Sequence, residues 1–234
     1  MARFVCTAPI DECGIDILAQ HASVEIAPDP AVATMMGLLD DTIGIVCRGE
    51  GKVPAEIIET APDLRVIGRT GAGYDAVDIE SATRRGLPVV FAPINAFAVA
   101  EGALAMLLSL VKLLPQADGW VKTGQWQKRY ECTPGDMTEH TLGIVGFGRI
   151  GQGLANLVRV FDMTVLAYGP VVADGIMHQL GAEKVELDDL LARSDYVSIH
   201  APLTDESRGM FNAERISRMK RGAILVNMGR GALI

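Results

Sequence analysis

Three glycines, Gly146, Gly148 and Gly151, have the spacing G-x-G-x-x-G, and their types and positions suggest a specific chemistry. A short apolar run, 142–145, precedes them, and a stretch with a helical period follows. In a strand–turn–helix unit the first glycine allows a tight turn, the second lets a phosphate approach the backbone, and the third lets the helix pack on the strand. The helix N-terminus also offers free N–H groups to a phosphate. The motif predicts a site for the pyrophosphate of a dinucleotide; a glycine-rich turn of purely steric origin is the alternative.

The composition is typical of a soluble globular chain and disfavours several classes of partner. With 234 residues, 49% hydrophobic and 21% charged, the chain can form one large domain or two modest ones. A net charge of −8 argues against nucleic acid or an anionic membrane as partner. Acidic residues begin at Asp11, too early for a secretory signal, and the longest apolar run, 103–114, is too short to span a membrane. Four scattered cysteines without a C-x-x-C pair suit reduced thiols in a cytoplasmic protein, and no metal site is predicted.

Strand-like and helix-like segments alternate on both sides of a central apolar stretch, which predicts an α/β protein with two doubly wound parallel sheets. In the first part, strands are predicted at 3–7, 24–27, 42–47, 64–68 and 88–91, with helices at 14–21, 32–39, 54–60 and 78–85. In the second part, four parallel strands are predicted at 142–145, 164–167, 196–199 and 223–226, with helices at 187–192 and 213–219.

The central stretch, 95–114, has a helical period but is apolar nearly all round. We therefore predict a helix that is buried on several sides and ends at Pro115, followed by a short helix and loop up to Met137. A helix of this kind between two α/β parts suggests a domain junction or a subunit interface. Together with Trp120 and Trp126, it predicts a homodimer. The predicted domains are 1–96, a connecting helix at 97–117, and 118–234.

Five segments, in a fixed order, cover most of the chain with a shared pattern: 68–78 (GRTGAGYDAVD), 95–101, 141–151, 200–204 (HAPLT) and 219–231 (MKRGAILVNMGRG). In these segments the sequence resembles the D-isomer-specific 2-hydroxyacid dehydrogenases, which include phosphoglycerate dehydrogenases and glyoxylate/hydroxypyruvate reductases. The resemblance implies a flavodoxin-like substrate domain followed by a Rossmann NAD(P)-binding domain. It also implies hydride transfer between a nicotinamide, with NAD as the cofactor or NADP as the alternative, and a small D-2-hydroxy or 2-keto acid. A dinucleotide-responsive co-repressor and a dinucleotide-binding fragment without activity are the competing hypotheses for the same fold.

Reduction of a 2-keto acid requires an anchor for the carboxylate, a cation beside the carbonyl and a proton donor. The family pattern makes Arg230 the catalytic cation, and a guanidinium suits this role because it stays charged and offers a planar fork of donors. The pattern implies that the backbone N–H groups of Ala72 and Gly73 bind the carboxylate, with Arg48 nearby or solvated at a strand end. The cofactor residues implied are Gly146, Phe147, Gly148, Arg149, Ile150, Gly151, Tyr168, Gly169, His200, Pro202, Thr204, Met228, Gly229 and Arg230.

The sequence departs from the family pattern at two places. The carboxylate that would bind the adenosine ribose falls at Gly169, and no arginine follows for a 2′-phosphate, so weak discrimination between NAD and NADP is expected. The family's acid histidine and its paired glutamate lie after the Arg-Gly motif, so the C-terminal part is expected to be missing and a chain ending at Ile234 to lack turnover. Asp75 and Asp78 are predicted as helix caps. Glu101 is predicted in a buried ion pair or backbone contact, with a catalytic role as the alternative.

Overall fold

A computed structural model describes all residues, 1–234, and divides the chain into two compact units, Met1–Asn95 and Ala96–Ile234. Each unit contains a five-stranded sheet in which every strand pair is parallel. The predicted fold class, α/β with two doubly wound parallel sheets, is confirmed. The three-part division at 1–96, 97–117 and 118–234 stays a prediction; in the structure, the helix that begins at Ala96 belongs to the second compact unit.

The first unit follows the predicted alternation of strands and helices closely. Its elements are β1 Arg3–Cys6, α1 Glu12–Ala19, β2 Ser23–Ile26, α2 Val32–Met36, β3 Thr42–Cys47, α3 Ala55–Thr60, β4 Val66–Arg69, α4 Ile79–Arg84 and β5 Val89–Phe91, with strand order β2-β1-β3-β4-β5. Asp78 caps α4, since its carboxylate accepts from the Ser81 backbone N–H at 2.8 Å, and this bond lowers the pKa of Asp78. The cap prediction is therefore confirmed for Asp78 and wrong for Asp75, which lies outside that position.

The apolar stretch forms α5 Ala96–Val111, and the short helix predicted after it is α6 Leu114–Lys122. The prediction that the first helix ends at Pro115 is wrong. Pro115 lies in the first turn of the second helix, where its missing N–H is not needed. Leu113, with φ 54° in the left-handed region, makes the break, and a 3₁₀ turn at Trp126–Tyr130 comes after α6. No single helix is long and apolar enough to cross a membrane; α5 and α6 meet that test only together, across a 61° bend.

The burial of α5 corrects a second prediction. Ala100, Ala103, Leu107 and Val111 form one buried face, and α5 packs on the helix that follows the glycine turn. The other face is open in this chain, with Met106 50% exposed. Burial on several sides is therefore wrong for the chain by itself, because an apolar composition does not show which face a neighbour covers. Glu101 is also exposed, so its predicted buried contact is wrong.

The second unit has five strands where four were predicted. After α6 come β6 Thr141–Val145, α7 Arg149–Leu157, β7 Thr164–Tyr168, α8 Asp174–Gln179, β8 Ala182–Lys184, α9 Leu187–Arg193, β9 Tyr196–Ile199, α10 Ala213–Ser217 and β10 Ile224–Asn227. The prediction missed α8 and β8. As an edge strand with one buried residue, Ala182, followed by Glu183 and Lys184, β8 has no apolar run to reveal it.

The strand order β10-β9-β6-β7-β8 determines where a ligand can bind in this unit. The chain runs outward from β6 through β7 to β8, then returns to the other side of β6 with β9 and β10. The order therefore reverses at β6, and in open parallel sheets ligands bind in the crevice beyond the carboxyl ends of the strands at such a switch point. The glycine turn follows β6, Gly169 follows β7 and His200 follows β9, so all three lie at this edge.

Candidate functional site

The turn after β6 requires glycine at its first position. Gly146 has φ +94°, a conformation that L side chains rarely adopt. A Cβ there would lie 2.5 Å from the Ala201 backbone N and 2.6 Å from the His200 carbonyl carbon. The Gly146 N–H donates to the Tyr168 carbonyl at 2.8 Å. The turn is therefore held tightly between the loops that follow β7 and β9.

The other two glycines of the motif differ from each other in the way that a phosphate site requires. Gly148 is the N-cap residue of α7, and nothing lies within 4 Å of the position a Cβ would take, so the backbone faces open space. Gly151, in contrast, is buried, and a Cβ there would overlap the Gly146 carbonyl oxygen. No side chain caps the N-terminus of α7, which leaves its first N–H groups available to an anion. The predicted roles of open approach at Gly148 and close packing at Gly151 match this geometry.

A cavity of about 470 Å³ opens beside the turn, at the carboxyl ends of β6, β7 and β9. Eight of the predicted cofactor residues line it: Gly146, Phe147, Gly148, Tyr168, Gly169, His200, Pro202 and Thr204. Pro170, Val171, Val172, Ala201, Glu206, Ser207 and Met210 also line it and were not predicted. Their positions in the loops after β7 and β9, next to predicted residues, were the available signal. A mostly apolar cavity of this volume has the size and character of a small-ligand or cofactor site.

The remaining predicted cofactor residues lie outside the cavity lining. Arg149, Ile150 and Gly151 form the first turn of α7, where Ile150 packs on the hydrophobic core. Met228, Gly229 and Arg230 follow β10. These six residues adjoin the strand ends at the edge of the sheet where the cavity opens, but they do not form its wall.

His200 is placed in the cavity wall as a neutral side chain. Its Nε2 lies 2.9 Å from the Ser198 hydroxyl, and its buried Nδ1 has no hydrogen-bond partner. Burial lowers the pKa of His200 from 6.5 to about 4, because desolvation disfavours the charged imidazolium. At neutral pH the imidazole is therefore uncharged, and its contact with a cofactor stays a prediction.

Position 169 is crowded as well as lacking a carboxylate. A Cβ on Gly169 would lie 3.2 Å from the Met177 methyl carbon and 3.3 Å from the Phe147 backbone N, closer than an ordinary contact of 3.4–4 Å. Phe147 and Met177 are both buried, so these neighbours have little room to move. The glycine here is consistent with tight packing between the loop after β7 and the turn after β6.

Arg230 is held in a short, braced loop after β10. Its carbonyl accepts from the Asn227 side-chain amide at 2.9 Å, and the Asn227 amide oxygen accepts from the Gly229 N–H at 2.9 Å. The Arg230 guanidinium donates to the Gly229 carbonyl at 3.3 Å, and the residue makes at least one further interaction. The loop therefore fixes the backbone of Arg230 and leaves its side chain half-buried.

The residues predicted to bind the substrate lie in the first unit. Arg48 follows β3, is exposed, and donates to the Pro9 carbonyl. Ala72 and Gly73 lie in the loop after β4, which Arg69 holds by donating to the carbonyls of Gly73 at 3.0 Å and Cys47 at 3.1 Å. A second cavity, of about 440 Å³, lies at the ends of β3, β4 and β5 and is lined by Val46, Gly68, Arg69, Thr70, Gly71, Val90, Phe91, Ala92, Ile94 and Asn95.

The lining of that second cavity differs from the predicted substrate residues. Arg48, Ala72 and Gly73 are not among the lining residues, whereas Arg69 and Gly71 are. Arg69 was missed, although it ends β4 directly before the glycine-rich loop, where a cation can brace backbone carbonyls. The chain contains no group of three or more His, Cys, Asp or Glu side chains that could hold a metal ion, and all four cysteines are free thiols.

Comparison with known proteins agrees with this geometry. Residues 104–234 match the family model described as "D-isomer specific 2-hydroxyacid dehydrogenase, NAD binding domain". The match covers the whole of the sheet that carries the glycine turn, and it confirms the predicted NAD-binding domain.

Named relatives extend the match to the first unit. A D-3-phosphoglycerate dehydrogenase from Synechocystis sp. is 35% identical over 235 residues, which are 100% of this chain and 42% of that protein. A glyoxylate reductase from Thermococcus kodakarensis is 37% identical over 238 residues, which are 97% of this chain and 72% of that protein. The chain spans less than half the length of the phosphoglycerate dehydrogenases it matches. These names favour the oxidoreductase interpretation over the co-repressor alternative.

A solved structure has the same fold over almost all of the chain. The D-lactate dehydrogenase from Aquifex aeolicus, complexed with NAD and lactic acid, superposes with a TM-score of 0.90. It is 30% identical, and the alignment covers 99% of this chain and 70% of that one. The glycine turn, the two parallel sheets, the matched domain and the relatives all agree. This chain belongs to the D-isomer-specific 2-hydroxyacid dehydrogenase family.

Proposed function

We propose that this protein is an NAD-dependent D-2-hydroxyacid dehydrogenase that transfers a hydride between nicotinamide and a small 2-hydroxy or 2-keto acid. The observation that carries the proposal is the glycine turn. At Gly146 the turn packs tightly against the Ala201 backbone. At Gly148, directly before the uncapped N-terminus of α7, the backbone is accessible to a ligand. The NAD-binding domain of the family and the NAD complex of the Aquifex enzyme support the choice of cofactor.

The residues present fit a dinucleotide. The first N–H groups of α7 would bind the pyrophosphate, and the cavity lined by Tyr168, Pro202 and Thr204 would hold the adenosine end. When bound, NAD supplies the hydride acceptor or donor for the reaction. The neutral imidazole of His200 adds a polar group to this wall without adding charge.

The proposed substrates are 2-keto and 2-hydroxy acids of the phosphoglycerate, glyoxylate or hydroxypyruvate type, as the names of the relatives support. By the family pattern, Arg230 would stabilise negative charge that develops on the substrate oxygen, and the Asn227 bonds that brace its loop support a fixed position. Ala72 and Gly73 would bind the carboxylate through backbone N–H groups, with Arg48 adding positive charge. The net charge of −8 supports a small-molecule substrate over a nucleic-acid partner.

A homodimer formed through α5 and the segment after it is part of the proposal. The apolar residues Phe97, Met106 and Leu110 on α5 are exposed, as is Trp126 beyond α6. Large apolar side chains exposed on one helix and on the segment after it support a protein–protein interface. Cytoplasmic location is proposed from the four free thiols, which suit a reducing compartment.

The test of the proposed function is binding followed by turnover. Titration with NADH, followed by nicotinamide fluorescence, should give saturable binding at micromolar concentrations. The complete gene product should then oxidise NADH with glyoxylate or hydroxypyruvate, or reduce NAD with 3-phosphoglycerate. Binding without turnover of any of these acids would contradict the proposed substrate class. Failure to bind NADH at millimolar concentration would contradict the proposal altogether.

A further inference from the structure

The cavity beside the glycine turn contains a single ionisable carboxylate, Glu206, and no lysine or arginine. Glu206 lies in the loop after β9, whereas Gly169, at the position of the family's ribose-binding carboxylate, lies in the loop after β7. The charge that Gly169 cannot provide is therefore present in another part of the same cavity wall.

The turn that carries Glu206 is well braced. The Thr204 N–H donates to the Ser207 hydroxyl at 2.8 Å, and that hydroxyl donates to the Pro202 carbonyl at 2.8 Å. The Arg208 N–H donates to the Thr204 carbonyl at 3.0 Å. Interaction with the Thr204 side chain lowers the pKa of Glu206, so this carboxylate is ionised at neutral pH.

No free cation compensates for this charge within the wall. Lys184 contacts the wall from outside, since its ammonium group donates to the Val172 carbonyl at 3.3 Å. The same group is paired with the Asp174 carboxylate at 2.6 Å. A 2′-phosphate in the cavity would therefore meet the Glu206 carboxylate without an unpaired lysine or arginine in the lining to offset it.

We propose that Glu206 determines the choice of cofactor in this protein. Its carboxylate accepts a hydrogen bond from a hydroxyl of the adenosine ribose and repels the 2′-phosphate of NADP. It thus replaces, from the loop after β9, the carboxylate missing at Gly169. The inference rests on the proposed function, because it requires the adenosine end of a dinucleotide to lie in this cavity. It implies clear selectivity for NAD, in contrast to the weak discrimination that Gly169 alone predicts.

The experiment compares the binding of NADH and NADPH by fluorescence titration in four proteins: the native chain, Glu206→Gln, Glu206→Lys and Asp205→Asn. Asp205 is the matched control, because it is exposed, adjacent in sequence and outside the cavity lining, and its substitution changes the net charge by the same amount as Glu206→Gln. Thermal unfolding is measured on all four proteins, so that the titrations compare folded samples.

The native chain should bind NADH at least tenfold more tightly than NADPH. Glu206→Gln should reduce that ratio by about tenfold, which corresponds to about 1.4 kcal/mol. Glu206→Lys should invert the preference, and Asp205→Asn should leave the ratio within about twofold of the native value, since its side chain does not line the cavity.

The outcomes separate this proposal from the proposed function. If the native chain binds both dinucleotides and neither substitution of Glu206 changes their ratio, the role of Glu206 is wrong and the proposed function stands. If Asp205→Asn changes the ratio as much as Glu206→Gln, net charge and not position is responsible, which also overturns the proposal. If the native chain binds neither dinucleotide, both proposals fail.

Discussion

Replacing Gly148 by alanine should weaken dinucleotide binding without weakening the fold. The backbone of Gly148 has φ −75° and ψ −162°, which any L residue can adopt, and nothing in the protein lies within 4 Å of the new methyl group. A substitution of glycine at a compatible position typically raises the free energy of unfolding by about 0.4–1 kcal/mol, because it restricts the unfolded chain. The folded protein should therefore be as stable as the native one, or slightly more stable.

The expected loss of NADH affinity follows from the proposed use of the open space at Gly148 by the pyrophosphate. If the pyrophosphate approaches the backbone at Gly148, a methyl group there would displace it from at least one N–H of α7. A hydrogen bond to a charged group contributes about 1.5–3 kcal/mol, so the Kd for NADH should rise by roughly 10- to 150-fold. The assay is a fluorescence titration with NADH, with thermal unfolding measured on the same samples.

Two further glycines provide the controls. Gly175, in α8, also has open space around it and does not line the cavity, so Gly175→Ala should leave NADH binding unchanged. Gly146→Ala should instead destabilise the second unit, since the new Cβ would lie 2.5 Å from the Ala201 backbone N in a left-handed conformation. NADH binding at the native affinity in folded Gly148→Ala would refute the phosphate role of this turn.

Three other outcomes are expected. Arg230→Ala in the complete gene product should lower kcat by about 10²–10³ and leave the Kd for NADH within a few-fold, measured by steady-state kinetics and titration; a loss below tenfold would count against its catalytic role. Because burial lowers the pKa of His200 to about 4, this imidazole binds a proton more readily in the unfolded chain than in the folded protein. Stability should therefore fall by up to about 3 kcal/mol as the pH drops from about 6.5 toward 4. The free energy of unfolding, measured by urea at each pH, should change less over this range in His200→Asn than in the native chain. An unchanged dependence on pH would contradict a buried neutral imidazole. Leu110→Glu, on the exposed face of α5, should give a folded monomer by light scattering, whereas Leu107→Glu, on the buried face, should unfold the protein; a dimer that persists in folded Leu110→Glu would exclude this face as the interface.

The parts of the fold that sequence could predict are those with strong, unambiguous patterns. β3 Thr42–Cys47 and β9 Tyr196–Ile199 have their predicted bounds, because a buried parallel strand is a short apolar run. The glycine turn was also predictable, because each of its three glycines meets a different steric requirement and these requirements fix their spacing. β8 was not, because an edge strand buries only part of its surface and carries charged residues.

Other features depend on tertiary contacts that no local pattern records. The open face of α5 could not be distinguished from its buried face, since both are apolar. Glu206 was missed because its relation to the cavity depends on how the loop after β9 folds back through the Ser207 bonds. The crowding of Gly169 by Phe147 and Met177 likewise brings together residues from three parts of the second unit. In each case the sequence determines the residue types, and the packing determines what they contact.

A crystal structure of the protein grown with NADH would test the phosphate role of the glycine turn by direct observation. We expect the pyrophosphate within hydrogen-bond distance of the backbone N–H groups at the start of α7, beside Gly148. The adenosine end should lie in the cavity between the loops after β7 and β9. Density for the dinucleotide anywhere else, or a pyrophosphate that does not contact the glycine turn, would show that this turn is not the phosphate site.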